Sequence, residues 1–180
     1  MALFSTLFSL IMLIAIVGAI VTEYYSYRLK VVPMPTLPAV RKQITDIVTG
    51  LSLPATPCIY ELGSGWGGLA YHTAQALPQA HVYGFELSPF PLFTAKWLRR
   101  RGNLRYQRKD IMTLDYSAVD VVIVYLMPHL LDRLQPLLTA QLQSGAIVIA
   151  SGFPLPDQTP EMTVPMKKGL EKNIYVYRQP

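Results

Sequence analysis

Residues 61–68 read Glu-Leu-Gly-Ser-Gly-Trp-Gly-Gly, and this short segment restricts the chain more than any other. It follows an apolar run, Cys58–Leu62, and leads into a helical pattern over Gly67–Leu77. Glycines at 63, 65 and 67 let the backbone turn tightly and approach a ligand closely, because no Cβ intrudes. A helix behind such a turn aims its N–H groups and the positive end of its dipole at whatever binds there. Strand, glycine turn and helix in that order open a βαβ unit. The sheet is therefore expected to be parallel and covered on both faces.

The remaining pattern continues the alternation. Apolar strands are expected at His81–Phe85, Leu104–Arg108, Asp120–Leu126 and Ala146–Ser151, with helices over Pro91–Arg101 and Leu130–Gln143. Glu161–Met166, a Lys-Lys-Gly turn and Asn173–Arg178 read as an antiparallel hairpin, and Pro165 suits an edge strand. The expected fold class is α/β: a Rossmann-like, mostly parallel seven-stranded sheet with a C-terminal antiparallel hairpin. Upstream, Leu37, Val40, Ile44, Ile47, Val48 and Leu51 recur at helical spacing, giving an amphipathic helix over 38–49 with Thr36 as its cap.

Met1–Thr22 carries no charged side chain. At about 1.5 Å per residue a helix of that length matches the roughly 30 Å of a bilayer's hydrocarbon layer. A secretory signal peptide is the alternative, but no Lys or Arg precedes the run, and the run exceeds the usual apolar core of about 7–15 residues. Arg28, Lys30, Arg41 and Lys42 come soon after it, so the positive-inside rule places the rest of the chain in the cytoplasm. Tyr24, Tyr25 and Tyr27 fall where an interfacial aromatic belt would sit. Three segments result: an anchor over 1–22, a proline-rich connector with the amphipathic helix over 23–55, and a catalytic domain over 56–180.

The net charge of +5 gathers at Lys96, Arg99, Arg100, Arg101, Arg105, Arg108 and Lys109. Nucleic acid would fit such a cluster, but beside an apolar span an anionic leaflet is the simpler partner, at about 1 kcal/mol per nearby cation. A single cysteine, Cys58, excludes an internal disulfide, and no metal-ligand cluster is seen, so no metal is expected.

Three acids end consecutive strands. Gly63, Gly65 and Gly68 also satisfy G-x-G-x-x-G, which keeps a dinucleotide in play. Glu61 opposes it: a carboxylate facing the turn repels a pyrophosphate but suits the ammonium and sulfonium of S-adenosylmethionine. Glu86, ending the second strand, can accept both ribose hydroxyls. Asp110, after the third, can accept the adenine amino group or simply cap a turn.

Taken together, Glu-x-Gly-x-Gly-x-Gly with Glu86 and Asp110 resembles the class I methyltransferase pattern. More narrowly, the chain resembles membrane-anchored protein-lysine methyltransferases of the ATP synthase c-subunit and adenine nucleotide translocase type. The shared segments are Pro35-Thr36, Glu-Leu-Gly-Ser-Gly (61–65), Phe-Glu-Leu-Ser-Pro (85–89), Lys-Asp-Ile (109–111) and Tyr-Leu-Met-Pro (125–128). Where those relatives carry Gly-Asp-Gly-Arg, this chain has Gly65-Trp-Gly-Gly68. The resemblance implies S-adenosylmethionine as cofactor and a membrane-associated protein as acceptor. In this fold the acceptor meets the methyl group just past the fourth strand, which makes Tyr125 the candidate catalytic residue and His129 a lesser one. Only the helix of 38–49 and the loop of 152–160 are long enough to close over such a site. A lipid or quinone methyltransferase, a nicotinamide oxidoreductase and a non-enzymatic adaptor are the alternatives.

Overall fold

Every strand expected from the sequence forms, and the reason is visible in which face each residue takes. A computed structural model of the chain describes residues 1–29, 35–167 and 172–180. Lys30, Pro33 and most of the Lys-Lys-Gly turn lie outside the described residues. The strands are β1 (Cys58–Leu62), β2 (His81–Phe85), β3 (Leu104–Gln107), β4 (Val121–Val124), β5 (Ile147–Ser151), β6 (Met162–Pro165) and β7 (Asn173–Arg178). They build one sheet in the order β3-β2-β1-β4-β5-β7-β6. β1 to β5 pair in parallel, whereas β7 runs antiparallel to both β5 and β6.

Both faces are buried, as parallel crossovers require. Val121 and Ile123 of β4 join Ile59, Val82 and Ile149 in one core cluster. Val122 and Val124, alternating with them, enter a second cluster on the opposite face with Leu131, Leu134 and Leu138. Those leucines belong to α5 (Pro128–Gln141), while α2 (Pro38–Thr49), α3 (Gly68–Ala76) and α4 (Pro89–Leu98) supply the first layer. The Cys58 N–H donates to Asp120 Oδ2 at 2.7 Å, tying the start of β1 to the residue before β4. Burial and Asp120 push the Cys58 thiol up to about 11, so it stays protonated and inert.

Three expectations are corrected. Thr36 does not cap α2: Leu37 holds the N-cap position without a side-chain hydrogen bond, and Pro38 starts the helix, where a missing N–H costs nothing. α4 begins at Pro89 and ends at Leu98, so Arg99–Arg101 lie beyond it. Asn103 helps fix the end of that crossover, its Nδ2 donating to the carbonyls of Ala74, Leu77 and Ala80 at 3.0, 3.0 and 3.1 Å. β4 stops at Val124, leaving Tyr125 and Leu126 in the loop past its end. Asp110 opens a single turn of 3-10 helix, Ile111–Thr113, that the apolar pattern did not reveal.

The N-terminal helix α1 spans Ala2–Leu29. Leu3–Arg28 is long and apolar enough to cross a membrane by length and composition. Leu7, Ile11, Ile14 and Ile20 are exposed along it. Its C-terminal part nevertheless rests on the sheet domain. The Phe90 ring of α4 fills the space over Gly18, and Arg108 Nη2 donates to Tyr25 Oη at 2.7 Å with its guanidinium over the same ring.

Candidate functional site

The strand order reverses between β1 and β4, and in open α/β sheets ligands bind past the carboxyl ends of the strands at such a point. A cavity of about 740 Å³ opens there. It brings together Glu61, Gly63, Gly65, Glu86, Asp110 and Tyr125, six of the seven residues expected from the sequence. Gly67, the seventh, does not line it. The Gly67 Cα instead packs against the buried Tyr106, whose hydroxyl donates to the Gly67 carbonyl at 2.7 Å.

The turn itself is built from backbone groups. The N–H groups of Gly63 and Ser64 both donate to the Phe85 carbonyl, at 2.9 and 2.8 Å. Gly65 has φ +51°, and a Cβ there would meet nothing within 4 Å, so its α-carbon faces the open cavity. Glu86 holds the turn from the other side. Its Oε2 accepts from the Gly65 N–H at 2.8 Å and its Oε1 from the Ser88 N–H at 2.7 Å. Each carboxylate oxygen keeps a second lone pair for a hydroxyl.

Glu61 is 6% exposed and its Oε2 accepts from the Ala70 N–H, in the first turn of α3, at 2.8 Å. Burial pushes its carboxyl up to about 8, against the Ala70 hydrogen bond and the Arg41 and Arg99 guanidinium groups, which lower it. A cation arriving beside it favours the ionised form. Asp110 is exposed; its Oδ1 accepts from the Met112 N–H at 2.9 Å, so the turn-capping role is real and coexists with a place on the cavity wall. The Tyr125 ring lies over Gly152, where a Cβ would come within 2.7 Å of it, and burial raises its hydroxyl pKa. His129 is exposed in the first turn of α5 and also lines the cavity.

Sequence reasoning missed Arg41 and Arg99. Both reach the cavity, one from α2 and one from just past α4. Arg99 Nε donates to the Trp66 carbonyl at 2.7 Å. The Arg41 guanidinium occupies the space directly over Gly68. A side chain that arrives from a separate helix leaves no spacing to read. Two guanidinium groups beside a glycine turn would suit a pyrophosphate as well as a carboxylate, so this geometry alone does not separate a dinucleotide from S-adenosylmethionine.

Comparison with known proteins separates them. The structure is similar to that of an RNA methyltransferase from Salinibacter ruber in complex with S-adenosyl-L-homocysteine, at TM-score 0.72 and 26% identity over 82% of this chain and 94% of that one. It also resembles TrmN from Thermus thermophilus, at TM-score 0.64 and 16% identity over 78% of this chain and 48% of that one, a likeness of fold alone. The fold and the site thus define a Rossmann-like methyltransferase with S-adenosylmethionine as cofactor. The residues present fit that molecule: acids stand at the ends of β1 and β2 and after β3, and an open α-carbon lies between them. The chain belongs to the family of the ANTKMT methyltransferase domain, whose sequence model matches residues 61–162. Among curated proteins it is 28% identical to the rat ATP synthase c-subunit lysine N-methyltransferase over 151 residues, 82% of this chain and 68% of the relative. It is 34% identical to the mouse adenine nucleotide translocase lysine N-methyltransferase over 110 residues, 58% of this chain and 47% of the relative. The chain therefore spans about two thirds of the first and about half of the second.

Proposed function

We propose that this chain methylates a lysine of a membrane-associated protein, held by residues 1–22 as a single span with residues 56–180 as a cytoplasmic catalytic domain. The observation that carries the membrane half is the make-up of the cavity wall. Thr22, Tyr25, Ser26 and Arg28, at the end of α1, line the same cavity as Glu61 and Glu86. An acceptor on a protein embedded beside that helix starts within reach of the site, and binding to the membrane removes most of the search. The lysine half is supported by the curated relatives named above, both of which are lysine N-methyltransferases.

S-adenosylmethionine supplies a methyl group on a sulfonium, already activated for in-line displacement. The protein's share is then alignment, exclusion of water and a neutral acceptor amine. Glu61, Gly63, Gly65, Glu86 and Asp110 are assigned to holding the cofactor. Gly67 shapes the turn from behind. Tyr125, whose ring lies over Gly152, is assigned to orient the acceptor nitrogen through its hydroxyl or ring face. The Arg41-bearing helix α2 and Phe153, from the loop after β5, reach the cavity wall from the two segments expected to cover it.

The full-length chain incubated with methyl-labelled S-adenosylmethionine and native membranes should label a protein band at lysine. Label confined to the lipid fraction would replace this reading with lipid or quinone methylation. The seven-cation cluster and the Salinibacter neighbour's name favour RNA as the second reading, and label found in the RNA fraction would establish it instead.

The same seating gives α4 a role at the bilayer surface. Phe93, Trp97 and Leu98 are 67%, 64% and 62% exposed on a helix that touches α1 at Gly18, inside the apolar run. Lys96, Arg100 and Arg101 flank them. Aromatic rings with adjacent cations suit the headgroup layer of an anionic membrane. With Trp66 replaced by Phe, Trp97 is the remaining tryptophan of the two in the chain. Its fluorescence in vesicles should be quenched strongly by lipids brominated near the headgroup. Emission unchanged from that in water would remove α4 from the interface.

A further inference from the structure

We infer that Arg41 is a cofactor-binding residue that receives the carboxylate at the amino-acid end of S-adenosylmethionine, with Arg99 beside it and Glu61 opposite for the ammonium. The inference rests on the cofactor assignment and is independent of the acceptor.

Three observations converge on it. The Arg41 Nε is buried and has no hydrogen-bond partner among the described residues, a costly arrangement unless something else meets the group. The guanidinium lies over the α-carbon of Gly68 at the start of α3, where a Cβ would stand 2.5 Å from Nη1 and 3.2 Å from Cζ. Finally, Arg41 shares that end of the cavity with a second cation and a buried carboxylate. Arg99 is already committed by its Nε to the Trp66 carbonyl, which fixes its orientation. Desolvation, then repulsion from Arg99, lowers the Arg41 pKa, and Glu61 offsets part of this. Two guanidinium groups beside a carboxyl offer separate partners to a zwitterion that presents its carboxylate to the arginines and its ammonium to Glu61, which that ammonium would hold ionised. A planar guanidinium fork is the side chain best matched to a carboxylate. Glycine at 68 leaves room for that fork to lie against the helix end.

The test compares two ligands by calorimetric titration of the full-length chain in detergent. S-adenosylhomocysteine carries the carboxylate; S-adenosyl-3-thiopropylamine keeps the ammonium and thioether but lacks it. Arg41→Met, which retains much of the apolar stem, should weaken S-adenosylhomocysteine on the order of 30-fold while the amine analogue changes by less than about twofold. Arg41→Lys should restore part of the loss. Gly68→Ala gives a second route, since the three atoms nearest the added methyl all belong to the flexible Arg41 side chain, whose guanidinium it displaces. It should reproduce the same ligand-selective loss in a smaller degree. An equal fall for both ligands, or no fall for either, would make Arg41 a packing residue and overturn the inference. Failure of the unmodified chain to bind either ligand would instead sink the cofactor assignment, and the inference with it.

Discussion

Glu86→Ala should weaken S-adenosylhomocysteine binding by at least about 100-fold, because two charge-assisted hydrogen bonds to ribose hydroxyls, each worth about 1.5–3 kcal/mol, are removed together. The structure adds a second consequence. Oε2 and Oε1 already accept from the N–H groups of Gly65 and Ser88, so the carboxylate clamps the glycine turn to the end of β2 before any ligand arrives. Alanine therefore also loosens the turn, and thermal stability should fall by the equivalent of about 1–2 kcal/mol. Glu86→Gln separates less cleanly than its shape suggests. Its amide nitrogen must face one of those two backbone donors, so donor opposes donor at 2.7 or 2.8 Å. Glutamine should recover little of the affinity lost by alanine. Titration with S-adenosylhomocysteine and a melting curve on each variant check both statements. An affinity within about twofold of the parent in folded Glu86→Ala would remove Glu86 from the ribose site.

Much of this fold could be read because its strands are buried on both faces. β1, β2 and β7 match the expected ranges residue for residue, since Cys58, His81 and Asn173 each follow a proline, a turn or a polar break. Errors gathered where apolarity outlasts hydrogen bonding. Tyr125 and Leu126 continue the apolar run of β4, yet they turn away from the ladder to cover the cavity. Arg99–Arg101 continue a favourable helical composition, yet the chain leaves α4 at Leu98, and Arg99 turns its Nε to the Trp66 carbonyl. In both places a tertiary contact at the site, invisible in local pattern, decides the boundary.

The site was legible to the extent that its residues sit at strand ends. Glu61, Glu86 and Asp110 could be read because each stands at or just past the carboxyl end of a strand whose pattern is clear. Arg41 could not, because α2 reads as an ordinary amphipathic helix and nothing in its sequence says which cation turns inward. Gly152 escaped for a related reason. Its positive φ and the Tyr125 ring above it appear only once the loop after β5 is folded back. Gly67 was assigned to the cofactor by its spacing alone, whereas its neighbours make it part of the protein's own packing.

That difference predicts opposite phenotypes for two glycines in one turn. Both hold positive φ, +51° at Gly65 and +74° at Gly67, so alanine at either costs about 1–2 kcal/mol for the left-handed conformation. At Gly67 the new Cβ would also stand 2.5 Å from the Tyr106 hydroxyl oxygen, 2.6 Å from its Cζ and 2.8 Å from the Ala95 Cβ. Tyr106 is 8% exposed and held by its bond to the Gly67 carbonyl, and Ala95 is fully buried, so neither can retreat without disturbing the core. Overpacking of this kind adds about 1–3 kcal/mol, for a total of about 2–5 kcal/mol. In a domain of this size that corresponds to a melting temperature lower by roughly 6–20 °C. Gly65→Ala meets no protein atom and should lose only the conformational part. Its methyl instead projects into the cavity, so the larger effect there falls on S-adenosylhomocysteine affinity. Melting curves and titrations on the pair should show stability lost at 67 and binding lost at 65; the reverse assignment would mean that the turn is folded in a different register.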